Sequence, residues 1–128
     1  MSQNTKQITY KLGAILYILW GVLHIYAAYQ IYLLGTTQPP SMVQGRLYQD
    51  AWNLLYLSIF SIVVALVYNW RNSLLGYWLN LITVSVTDIG YIVLILVPGY
   101  SADIPGLILW ILGAIFTTIG ILTNPKTP

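Results

Sequence analysis

Apolar residues run along this chain in four long blocks, with polar and turn-forming residues gathered between them. The blocks cover about residues 12–34, 47–69, 74–97 and 106–122. Each is long enough as a helix to cross a hydrocarbon core of ~30 Å. The first break is Gly35-Thr36-Thr37-Gln38-Pro39-Pro40-Ser41, where turn formers and two prolines end a helix. The second is the short polar turn Trp70-Arg71-Asn72-Ser73. The third, Pro98 to Pro105, stops one helix and starts the next. The pattern predicts a single domain over residues 1–128, an all-α integral membrane protein built as a four-transmembrane-helix bundle.

Composition sharpens this picture. Hydrophobic residues make up 58% of the 128 residues and charged residues only 6%. A soluble domain carries about a quarter charged residues, so most of this surface is expected to face lipid. Lys6 and Lys11 precede the first block as in a secretory signal, but the apolar run is too long for one and reads as a retained first helix. Trp52, Trp70, Trp78 and several tyrosines fall near block ends, as an aromatic belt requires. Lys6, Lys11, Arg71 and Lys126 lie on one predicted side and Arg46 alone on the other. That asymmetry predicts a multi-pass protein of the cell inner membrane with both termini cytoplasmic.

Several function classes drop out. Five scattered cations form no basic stripe, so no nucleic-acid partner is expected. The absence of cysteine and the single His argue against a disulfide, a thiolate nucleophile or a closed metal site, so no metal and no cofactor are expected. Phosphate-cradling glycine loops, nucleophile elbows and H-E-x-x-H are all missing. The length and four-helix plan resemble the small multidrug-resistance exporters in architecture alone, since the glutamate those proteins use has no counterpart in a chain without glutamate.

Ionisable residues inside the apolar blocks point to a site, because burying them in lipid is costly. His24 falls near the middle of the first block, and Asp88 slightly past the middle of the third. These helices run the same way, which places the two side chains at similar depth, Asp88 ~4 Å further toward the outer face. An imidazole and a carboxyl group there can exchange a proton or anchor a polar group. Arg46, Asp50 and Asn53 share a face of the second helix, with Arg46 and Asp50 spaced to pair. Trp20 and Tyr91 supply aromatic walls near His24 and Asp88.

The leading expectation is a lipophilic small-molecule binder with an outward-opening intramembrane pocket. Its contacts would be Asp88, His24, Asn53, Trp20, Tyr91 and Asp50. The same residues fit three other readings: an isomerase-like or cyclase-like acid–base enzyme using Asp88 and His24, a proton-coupled transporter acting as a homo-oligomer, namely a homodimer, or an accessory subunit of a membrane complex. Besides ligand, the bilayer itself is the expected partner.

Overall fold

The structure is a computed structural model and describes residues 1–124; Lys126, counted above for orientation, lies outside them. Four α-helices account for most of the chain: α1 (Gln3–Thr36), α2 (Met42–Val67), α3 (Leu74–Tyr91) and α4 (Pro105–Thr123). No strand occurs among the described residues. All four helical stretches are long and apolar enough to cross a membrane. With the π-helical turn Ile92–Leu96 counted as the end of α3, their boundaries fit the hydropathy blocks at six of the eight ends to within a few residues. At the start of α1 and the start of α2 the helix begins earlier than the apolar run. The cause is capping: Ser2 Oγ accepts the Thr5 amide and Ser41 Oγ accepts the Gln44 amide. Caps start helices wherever they occur, while hydropathy reports only the buried stretch.

α1 is the central column, packed along most of its length against α2 and α4. Both contacts are made through glycines. A Cβ on Gly13 would meet Thr117, one on Gly113 would meet Tyr17, and one on Gly120 would meet Tyr10. These pairs advance one turn at a time in opposite directions, a close antiparallel register between α1 and α4. Against α2, Gly21 sits on Ser58 and Ile62. Small residues let the backbones approach into dispersion contact.

α3 is held differently. Its buried side is Gly76, Asn80, Val84 and Asp88, one residue every four. Only Val84 joins the apolar core of Tyr17, Trp20 and Ala65. Hydrogen bonds hold the rest. Asn80 Nδ2 donates to the Ser61 carbonyl at 3.1 Å and to Asn69 Oδ1 at 2.8 Å. Trp110 of α4 donates to Ser85 Oγ at 2.8 Å, and the Tyr77 and Thr118 hydroxyls pair at 3.2 Å. At its C-terminal end α3 widens into a π-helical turn over Ile92–Leu96. Such turns recur at functional sites.

The α2–α3 connection is a short 3₁₀ turn, Asn69–Arg71, followed by Asn72 in the left-handed region at φ 56°. Asn tolerates this conformation better than other non-glycine residues. Its amide then donates to the carbonyls of Gly120 and Asn124, at 3.0 and 2.6 Å. The turn thereby caps the C-terminal end of α4, whose last carbonyls have no partner inside their own helix. We expect Asn72→Ala to lose both bonds and keep the unfavourable backbone angle, a destabilisation of about 2 kcal/mol. Denaturant titration in detergent micelles measures it, and an unchanged midpoint would contradict this account.

Candidate functional site

Three of the residues singled out above converge. Trp20 and His24 sit one turn apart on α1 and face the same way, which the i, i+4 spacing dictates. Their rings stack at 3.9 Å between centroids with 24° between planes. Asp88 reaches them from α3. Its Oδ2 accepts a hydrogen bond from Trp20 Nε1 at 3.0 Å, and its Oδ1 lies 3.5 Å from His24 Nε2. The Asp88 side chain is 2% exposed, while that of His24 is 14% exposed. The carboxyl group is thus sealed in, and the imidazole is the member of the trio that touches the surroundings.

The remaining hydrogen bond fixes where a proton must be. His24 Nδ1 lies 2.8 Å from the Trp20 carbonyl oxygen. A carbonyl can only accept, so Nδ1 carries the hydrogen. Nε2 is therefore either a lone pair or a second N–H, and it faces Asp88 Oδ1. The two groups face each other at 3.5 Å, beyond the usual length of a hydrogen bond.

The helix register sets the depth of this cluster. The α1–α4 contacts that begin at Tyr10 and Gly120 end at His24 and Gly106, where a Cβ on Gly106 would lie 2.9 Å from His24 Cε1. Gly106 belongs to the first turn of α4. His24 is therefore level with the start of α4, closer to the bundle's far end than a mid-block position suggests. Beyond it, Ile25–Thr36 of α1 continues for about 18 Å at the α-helical rise with no α4 beside it. Tyr91, one turn past Asp88, donates its hydroxyl to the Asp103 carbonyl at 3.0 Å and to Ser101 Oγ at 3.2 Å. It ties the α3–α4 loop down near the cluster.

Asp50 and Asn53 stand apart from the trio. Both are exposed on α2. Asp50 lines a separate shallow concavity of about 410 Å³ with Met42, Val43, Arg46 and Leu47. Arg46 turns away from the expected pairing and donates to Gln49 Oε1 at 2.8 Å. Another concavity, of about 380 Å³, lies between the outer parts of α1 and α2 and is walled by Tyr29, Tyr32, Tyr48 and Trp52. No group of three or more His, Cys, Asp or Glu side chains able to hold a metal is found among the described residues.

The largest fully buried polar side chain missed by sequence reading is Asn80, bonded to the Ser61 carbonyl and to Asn69. Its signal was present: Asn80 precedes Asp88 by two helical turns, and Gly76 and Val84 complete the same stripe. No protein-family model, curated protein or solved structure matches this chain.

Because Trp20 supplies a buried carboxyl group with its N–H donor, Trp20→Phe keeps the stack and removes the bond. A loss of about 1–3 kcal/mol in folding stability is expected, the cost of an unsatisfied buried acceptor. Unfolding in mixed micelles reads it directly; a midpoint equal to that of the unmodified chain would mean that the bond contributes nothing.

Proposed function

We propose that this chain is a multi-pass protein of the cell inner membrane that binds a lipophilic small molecule through the Trp20–His24–Asp88 cluster. Both termini face the cytoplasm in this reading, because Lys6, Lys11 and Arg71 gather at one end and Arg46 lies at the other. The observation that carries the proposal is the partly open His24 beside a sealed Asp88, level with the first turn of α4. At that level the bundle loses one wall, and an apolar molecule arriving from the outer half of the bilayer has a way in. The imidazole then acts as its polar anchor, with the sealed Asp88 and the stacked Trp20 holding the ring in place, and Tyr91 as the post that holds the loop. Asp50 and Asn53 take no part in it. Pockets of this kind pair apolar walls with a few convergent polar groups.

Native mass spectrometry of the protein released from nanodiscs tests the reading. One discrete small mass per chain is expected, and Asp88→Asn should lower its occupancy about tenfold or more, the worth of a hydrogen bond to an ionisable group. Retention of the same mass at the same occupancy by the Asn variant would sink the proposal. A bare dimer would instead favour the transporter, and a chain always accompanied by another polypeptide the accessory subunit.

The facing of His24 Nε2 and Asp88 Oδ1, with Nδ1 committed to the Trp20 carbonyl, favours a second reading, an acid–base enzyme acting on the same molecule. Proton transfer by a positioned imidazole contributes about 10²–10⁴-fold to a rate. His24→Gln should then leave the bound mass in place and cost at least about 100-fold in its conversion. If the bound mass is recovered chemically unchanged after prolonged incubation with the unmodified protein, the enzymatic reading fails and simple binding stands.

A further inference from the structure

We infer that the end of the bundle carrying the N-terminus and the α2–α3 turn holds the headgroup phosphate of an anionic phospholipid, gripped by Lys11 and Arg71 beside Trp70. The inference rests on the proposal that the bundle lies in a membrane. It starts from the distribution of charge. The chain has three acidic side chains, Asp50, Asp88 and Asp103, and none is near this end. Asp88 is committed to Trp20 and His24, and its partner His24 lies 13 residues beyond Lys11 on α1, about 20 Å along the axis. Asp50 stands on the far part of α2, and Asp103 in the far loop. Lys6, Lys11 and Arg71 thus have no acidic side chain of this protein within reach, and an anionic headgroup would stabilise them at the edge of hydrocarbon.

Geometry localises the grip. Lys11 is half-buried, its Nζ 5.2 Å from the centre of the Trp70 ring. The contact holds the ammonium over an aromatic face instead of leaving it free in water. Arg71 follows Trp70 directly, at the end of the 3₁₀ turn, and is exposed. The turn itself is fixed: Asn69 accepts from Asn80, and Asn72 is anchored to the end of α4. Lys11 and Arg71 are therefore presented by two rigid elements that pack together, α1 and the turn. A guanidinium fork and an ammonium point charge flanking an indole suit a phosphate at the depth of the glycerol backbone. The indole lies at the level where Trp rings favour the boundary between headgroups and hydrocarbon.

The full chain is placed in nanodiscs containing equal amounts of phosphatidylglycerol and phosphatidylcholine, and the lipids retained on gentle release are identified by native mass spectrometry. Preferential retention of phosphatidylglycerol is expected. Lys11→Gln and Arg71→Gln should each reduce that preference roughly fivefold, the weight of one basic residue at an anionic surface. Lys11→Arg and Arg46→Gln, which keep the charge and remove a far-end charge respectively, should leave it unchanged. Equal retention of both lipids by the unmodified chain, or a preference that survives the double Gln variant, overturns the site. Recovery of the chain outside the nanodiscs overturns the membrane reading along with it, whereas insertion without lipid preference overturns this inference alone.

Discussion

The hydrogen bond from the Trp20 indole to the Asp88 carboxyl group joins two modes of packing, one dominant around α1 and the other around α3. α1 meets α2 and α4 mainly through glycines, by backbone approach and dispersion. α3 meets its neighbours through polar side chains: Asn80 on Ser61 and Asn69, Tyr77 on Thr118, Ser85 under Trp110. Glycine contacts tolerate sliding by a turn, because one small residue resembles the next. Directional bonds do not. The Trp20–Asp88 bond transfers the register of α3 to the column formed by α1, and so fixes which residues share the centre of the molecule.

That arrangement accounts for the composition of the candidate site. Asp88 can be kept in an apolar bundle because each of its oxygens has a partner, and both partners come from one helix face. Trp20 and His24 serve each other as well: the rings stack, and the backbone oxygen of the first fixes the tautomer of the second. A carboxyl group held this way is preorganised, with little side-chain entropy left to lose when a further molecule approaches.

Much of this was legible in the amino-acid sequence, for identifiable reasons. Helix number and spans follow from hydropathy because lipid and protein interior both select apolar residues over the length of a membrane crossing. Parallel helices and similar depth made a His24–Asp88 encounter possible, without saying whether their helix faces meet. Trp20 belonged with them through its i, i+4 spacing. The failures share one cause. On a helix that is apolar all round, nothing in the residue pattern says which face turns inward. Asp50 and Asn53 on α2 therefore looked as plausible as Asp88, yet the contact face of α2 is the one bearing Ser58, Ser61 and Ala65. Depth within the bundle was also misjudged for His24. α4 begins late relative to α1, an offset that only the interhelical register reveals.

The clasp between Asn72 and the end of α4 bears on the order in which the molecule is assembled. The α2–α3 turn emerges from the ribosome before α4 is made, and its buried partners Asn69, Ser61 and Asn80 come from segments that already exist. The amide that receives the carbonyls of Gly120 and Asn124 is thus in position when α4 arrives. α4 thus docks onto a receptor that the earlier helices have already built.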